Sequence, residues 1–171
     1  MNNHLHFHGL ARSGHHAVLY WLLGCLPEDR KVHFANHVKV GKHPLDPLNV
    51  NMHDFPRDIG VLPVRPGLAP SDVDYFISST EDVSVDHWNR TYTFPGVPFL
   101  PVVVLRDPFN NLASRLKMME KKGRQFGLNH GRFVDPFLAF WLSYYQRARR
   151  IGCVLIDYNH WFESEEYRRQ I

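Results

Sequence analysis

Two short segments of the chain combine glycine, arginine and serine at spacings suited to holding an anion. The first is Gly9-Leu10-Ala11-Arg12-Ser13-Gly14-His15-His16, in which four residues separate the two glycines. This is the G-x-x-x-x-G spacing of a phosphate-cradling loop. Glycines let the backbone curl until several N–H groups converge on one point, and a helix N-terminus behind them adds partial positive charge. A nucleotide-hydrolysing loop continues with Lys and Ser/Thr, which clamp the terminal phosphates and ligate magnesium. Here those places hold His15 and His16, which disfavours an ATP- or GTP-hydrolysing site. The cation comes earlier, as Arg12, with Ser13 beside it. A plain glycine turn is the bland alternative, and the strand, Arg-Ser-Gly and helix occurring together weigh against it.

The second segment runs Val102-Val103-Val104-Leu105-Arg106-Asp107-Pro108-Phe109-Asn110-Asn111-Leu112-Ala113-Ser114-Arg115-Leu116. It sets Arg106 at the C-terminal end of a β-branched run, the edge where open α/β sheets bind ligands. Ser114 follows eight positions later, in the second turn of the next helix. Leu112, Leu116 and Met119 form an inward stripe at helical spacing and leave Ser114 off the core face. The bland reading is a surface Arg106 paired with Asp107 and a solvated Ser114.

Together the two segments resemble the PAPS-dependent sulfotransferase family. GLARSGHHAVLYWL is similar to that family's 5′-phosphosulfate loop, Lys/Arg-Ser-Gly-Thr-Thr before a helix. VVVLRDPFNNLASRL is similar to its 3′-phosphate motif, an Arg-x-Pro turn with Ser eight residues after the Arg. The later CVLIDYNHW resembles the Tyr-Asn-x-Trp strand of bacterial members. The resemblance implies 3′-phosphoadenosine 5′-phosphosulfate (PAPS) as co-substrate with no metal required. It places Arg12 against the sulfate and bridging oxygen, and Ser13, Gly14, His15 and His16 around the 5′-phosphate. Arg106 and Ser114 would hold the 3′-phosphate. The chain departs from the family in having His15-His16 for the hydroxyl pair and in lacking a C-terminal Arg-x-Gly-x-x-Gly segment. At 171 residues it is expected to be a short member or a fragment, one sulfotransferase-like domain that is short at its C-terminus.

Sulfuryl transfer calls for in-line geometry, stabilised leaving-group charge and a base for the acceptor hydroxyl. The family's base is a His or Glu on a strand edge before the 3′-phosphate motif. Tyr75–Ser79 is such a strand here, which makes Glu81 the first candidate and His87 the second; a solvated acidic turn over residues 80–87 is the alternative. The chain's 12 histidines raise the question of a metal, and none is expected. His4, His6 and His8 alternate along the first strand without the further ligands that a metallohydrolase needs. His33 and His37 have helical spacing but HFANH lacks the Glu of a zinc-protease motif. Arg147, Arg149, Arg150, Arg168 and Arg169 are expected to be solvated helix-end charges, and Trp141, Tyr144 and Tyr145 mostly core.

The elements that must position these residues follow from periodicity and punctuation. Strands are predicted near Leu5–Leu10, Lys31–Phe34, Tyr75–Ser79, Val102–Leu105 and Cys153–Tyr158. Helices are predicted over His15–Leu26, from the Asp107 cap to about Lys122 before Gly123, from Asp135-Pro136 to about Arg150, and from about His160. Strands alternating with helices predict an α/β three-layer sandwich around a mostly parallel sheet, of the P-loop nucleotide-kinase-like kind. Residues 38–74 read as an irregular proline-rich insertion, where the acceptor wall is expected. Hydrophobic residues are 44% and charged residues 22%, which excludes a disordered, collagenous or coiled-coil chain. The net charge of +3 suits an anion site better than a nucleic-acid coat. The apolar run Ala17–Leu26 has ten residues, too few to span a bilayer, and no small-residue cleavage site follows it. With only two cysteines, a reducing, cytoplasmic setting is expected. The leading expectation is a sulfotransferase acting on a hydroxyl or amine of a carbohydrate or small metabolite. A P-loop small-molecule kinase and a non-catalytic adenosine bisphosphate-binding module are the alternatives, with a metallohydrolase last.

Overall fold

The computed structural model describes residues 3–26, 30–45, 61–63, 73–122 and 131–171. They form an α/β three-layer sandwich on a parallel six-stranded sheet. The chain runs β1 (Asn3–Gly9), α1 (His15–Cys25), β2 (Val32–Ala35), β3 (Val61–Pro63), β4 (Tyr75–Glu81), a 3₁₀ turn (Val85–Arg90) and β5 (Phe99–Leu105). Then come α2 (Pro108–Lys121), α3 (Gly131–Ala148), β6 (Val154–Asp157), α4 (Tyr158–Glu163) and α5 (Glu165–Gln170). The strand order is β3-β2-β4-β1-β5-β6. The chain therefore leaves β1 toward one edge, returns to β4, and crosses over β1 to reach β5. That reversal makes the C-terminal ends of β1, β4 and β5 a topological switch point, the place where open parallel sheets form ligand crevices.

The alternation of β1 assigns its two faces. Phe7 points to the layer that contains α1, where Val18, Leu19, Phe34, Ile77, Val102, Val104, Ile156 and Trp161 form the larger core cluster. Removing a side chain such as Leu19 from water contributes roughly 1.5–3 kcal/mol. The opposite face packs under α3 and the 3₁₀ turn through Leu10, Trp88, Val103, Leu105, Tyr144 and Ala148. His4, His6 and His8 lie on that second face and are all buried. Each finds a hydroxyl on the neighbouring β4, because the parallel register sets His6 opposite Ser78 and His8 opposite Thr80. Ser78 Oγ lies 2.7 Å from His4 Nε2 and 2.6 Å from His6 Nδ1. Thr80 Oγ1 lies 3.2 Å from both His6 Nε2 and His8 Nδ1. The rings of His6 and His8 are thus bonded core groups, while His4 is bonded through Nε2 and its buried Nδ1 has no hydrogen-bond partner among the described residues.

Several sequence expectations need correction. The helix expected to start at Asp135-Pro136 begins at Gly131, with Pro136 inside it. The apolar stripe of Val134, Phe137, Trp141 and Tyr144 extends upstream of the proline, whose own position is exposed. The proline-rich stretch 38–74 is not wholly irregular, since Val61–Pro63 adds an edge strand to β2; residues 46–60 and 64–72, with the acceptor wall expected there, lie outside the described residues. His33 and His37 do not share a helix face: His33 is in β2, and His37 follows it in a left-handed turn with φ 52°. The Asp107 cap is as expected, accepting from Asn110 N at 2.9 Å. Gly123, its expected stop, is outside the described residues. Among the described residues no helix is long and apolar enough to cross a membrane.

Candidate functional site

The loop after β1 tightens because Gly14 takes φ 91°, a left-handed conformation that favours glycine. A β-carbon at Gly14 would also fall 2.2 Å from the Tyr158 ring. The loop is tied on both sides. Asp82 accepts from Ala11 N at 3.0 Å, and the fully buried Asn111 donates to Ala11 O at 3.4 Å. Arg115 closes the frame through an ion pair with Asp82 and a 3.1 Å bond from Nε to Asn111. Gly14 is the N-cap of α1 and supplies no side-chain cap, and the first turn contains no acidic residue. Such an uncapped N-terminus suits an anion.

The switch point opens into a cleft of about 720 Å³ whose lining includes Arg12, Gly14, His15, His16, Glu81, Arg106 and Ser114. Seven of the nine residues singled out in the sequence thus meet in one place. Arg12 Nε reaches Ser114 Oγ at 3.3 Å, joining the two anion motifs directly. Arg106 lies 5.5 Å above the centre of the Tyr158 ring, and its carbonyl accepts from Trp141 Nε1 at 2.8 Å. Met118 and Lys122 complete the α2 side, so Lys122 is a third cation that the sequence motifs did not mark.

Two of the nine fall elsewhere. His87 sits exposed in the 3₁₀ turn and does not line the cleft. Ser13 is fully buried under the loop, and its Oγ has no hydrogen-bond partner among the described residues. Its turn forms through the backbone, Ser13 N donating to Leu10 O at 2.9 Å. The solvated-turn alternative for residues 80–87 applies to His87 and fails for Glu81. Glu81 is the last residue of β4, opposite Gly9 in the parallel register.

Glu81 is surrounded by imidazoles. His15 Nε2 lies 3.2 Å from Oε1 and His37 Nδ1 lies 3.6 Å from Oε2. Burial raises the Glu81 pKa, opposed by His37, His16 and Arg115 and reinforced by Asp82. His15 is lowered to about 3, chiefly by burial and further by His16 and His37, so its ring is neutral. His15 therefore faces Glu81 as a buried, neutral imidazole. The His16 ring lies beside it, tilted by 49° with ring centres 4.2 Å apart, and Asn36 Oδ1 lies 3.4 Å from His16 Nε2. Of the described residues, the three non-glycine ones with positive φ are Arg12, His37 and Asp82. All three border this cleft or Glu81, a concentration of backbone strain typical of functional sites.

A second recess of about 380 Å³ adjoins the first through Arg106 and is lined by Trp141, Tyr145, Asp157 and Asn159 among others. Trp141 and Tyr145 stack at 10° and 5.7 Å. Of the aromatic trio Tyr144 is fully buried, and Trp141 and Tyr145, expected with it in the core, are half-buried and pack against the same cluster. Among the helix-end arginines, Arg169 pairs with Glu165 and Arg168 donates to the carbonyls of Trp161 and Phe162. Neither these nor Arg147, Arg149 and Arg150 line the cleft.

The sequence motifs missed His37 and Lys122. His37 had no signal, because its ring reaches Glu81 only through a left-handed turn after β2. Lys122 had a weak one, lying two helical turns beyond Ser114. No family model matches the chain, nor does any curated protein or solved structure.

Proposed function

We propose that the cleft binds a nucleoside bisphosphate and that the protein is a PAPS-dependent sulfotransferase acting on a hydroxyl or amine of a small molecule or carbohydrate. The observation that carries this reading is the meeting of Arg12, Arg106 and Ser114 at one switch-point cleft that also holds Glu81. Supporting it, the loop between β1 and α1 offers an uncapped helix N-terminus to one phosphate. Arg106 and Ser114 offer a charge and a hydroxyl to a second. The stacked Trp141 and Tyr145 give the adjoining recess an aromatic wall suited to a purine.

In the proposed reaction the acceptor oxygen attacks sulfur in line with the departing bridging oxygen. The new O–S bond forms as the old S–O bond breaks, and adenosine 3′,5′-bisphosphate leaves with its negative charge beside Arg12 and the helix terminus. Glu81 takes the acceptor proton. Its burial makes it a stronger base than a solvated carboxylate. The sulfuryl group carries less charge than a phosphoryl group, so this transfer does not need the magnesium-binding hydroxyl that the loop lacks.

The engagement of Glu81 with His15 and His37 favours, as a second reading, a module that binds the bisphosphate without turning over. Calorimetry with adenosine 3′,5′-bisphosphate and with ATP–magnesium tests the binding claim. The bisphosphate is expected to bind and ATP–magnesium not to. Arg106→Ala should weaken binding about 10- to 100-fold, the loss of a charged hydrogen bond worth roughly 1.5–3 kcal/mol. Absence of bisphosphate binding, or indifference to Arg106→Ala, overturns the reading. Glu81→Gln that binds bisphosphate normally while losing sulfuryl transfer supports Glu81 as base; a wild-type chain that binds but never transfers supports the second reading.

A further inference from the structure

His15, His16 and Glu81 each present a ligating atom, and these three atoms lie within 4.8 Å of one another. Two imidazoles and a carboxylate are a donor set that zinc-type ions accept, with an open position left for a further ligand. His15 supplies the more telling observation. Its side chain is 3% exposed and its Nε2 sits 3.2 Å from Glu81 Oε1, yet that nitrogen makes no hydrogen bond among the described residues. In the tautomer with the proton on Nδ1, the buried nitrogen and the facing carboxylate oxygen are two electron pairs converging on one point. A cation satisfies both.

The surroundings orient the ligands as outer partners do in metal sites. Asn36 Oδ1 can only accept, so the 3.4 Å contact with His16 has Nε2 donating and leaves Nδ1 with its lone pair. Asn36 is itself buried and held by Ser79 Oγ at 2.6 Å. A tetrahedral ion with bonds of roughly 2.0–2.1 Å needs neighbouring ligand atoms about 3.3 Å apart. The His15–Glu81 pair is already at that spacing, and the ligating atom of His16 lies within 4.8 Å of both. His37, 3.6 Å from the other Glu81 oxygen, can hold that oxygen in place.

We infer that His15, His16 and Glu81 form a binding site for a divalent transition-metal ion of the zinc type, oriented by Asn36 and open toward the cleft. The open position would face the space bordered by Arg12 and Arg106, so the ligand it takes is an anionic oxygen. This inference does not rest on the sulfotransferase reading. An ion there would occupy the carboxylate that reading uses as base, so added metal would inhibit transfer by blocking Glu81.

The test is titration of the full chain with cobalt(II) and zinc(II) in the absence of nucleotide. It reads visible cobalt absorption and calorimetric stoichiometry. One equivalent of cobalt should produce the intense bands of a low-coordinate site, displaced by one equivalent of zinc. His16→Ala and Glu81→Gln should each weaken binding at least 10-fold, and Asn36→Ala by about 10- to 100-fold. His87→Ala, exposed and outside the cleft, should change nothing and controls for adventitious histidine binding. His16 is only partly buried, so its variant keeps the fold; an unchanged circular dichroism melt verifies this. Binding that is absent, or that survives both His16→Ala and Glu81→Gln, overturns the inference. Because nothing in this titration involves a bisphosphate, its failure leaves the sulfotransferase reading to its own calorimetry.

Discussion

At the scale of single residues, Gly14 constrains the site most tightly. Two separate requirements meet there: a φ of 91° and the absence of a β-carbon, for which the Tyr158 ring leaves no room. Gly14→Ala is therefore expected to destabilise the protein by about 2–4 kcal/mol, combining a left-handed backbone penalty with overpacking. The double variant Gly14→Ala/Tyr158→Ala separates the two. Relative to Tyr158→Ala alone, alanine at position 14 should then cost only about 1–2 kcal/mol, the backbone part. Urea denaturation of the four proteins closes the cycle, and equal costs in both backgrounds would remove the Tyr158 contact from the account. The glycine was legible in the sequence from its spacing, but the ring that enforces it was not. Tyr158 reaches Gly14 from beyond β6, a meeting that only the sheet order brings about. Glu81 is similar: its residue type made it a candidate, while its imidazole partners depend on the β1–β4 register and on the unforeseen turn at His37.

Among the elements, β1 and β4 together store an acid sensitivity. A neutral imidazole has one donor and one acceptor nitrogen, so the chain His4–Ser78–His6–Thr80–His8 closes with all three rings uncharged and every proton pointing the same way. Burial lowers His4 from 6.5 to about 4 and His8 from 6.5 to about 3. It lowers His6 well below its usual value, helped by His8 and His4. The unfolded chain takes up protons below pH 6.5 that the folded chain refuses. Stability is thus complete above that pH and falls as pH drops toward the folded values. Each histidine should contribute about 1.4 kcal/mol per pH unit to that slope. His4→Phe, placed among Phe76, Phe94 and Phe99, should reduce the slope by about one proton. Chemical denaturation at a series of pH values checks this, and an unchanged slope would mean that His4 is charged in the fold. The alternation of the three histidines was readable as one strand face. Their hydroxyl partners were not, because Ser78 and Thr80 become neighbours only once β4 lies parallel to β1. The proline signal at Pro136 misled for a related reason: the packing stripe of α3 runs through it.

Over the whole molecule, charge distribution says more than net charge. The formal +3 is modest, yet Arg12, Arg106 and Lys122 share one cleft, whereas Arg169 is paired on the surface. Binding of adenosine 3′,5′-bisphosphate should therefore weaken by an order of magnitude or more between about 0.1 M and about 1 M salt, as the screening length contracts from roughly 10 Å to roughly 3 Å. Calorimetry at the two salt concentrations measures it. A salt-independent affinity would mean that these cations do not hold the ligand. The α/β class and most strand positions were legible, since buried β-branched runs and helix caps are local signals. The three-residue β3 was not, because so short a strand among prolines exists only through its pairing with β2.

Tyr158 gives the cleft a sense of length. Its ring packs on Gly14 at one anion position and under Arg106 at the other, a rigid spacer seated between two charge-binding ends. On the proposed bisphosphate reading, a ligand with phosphates at opposite sides of a ribose would reach both ends at once. The ring would, on that reading, work as a ruler, choosing among nucleotides by the distance between their charges rather than by their number.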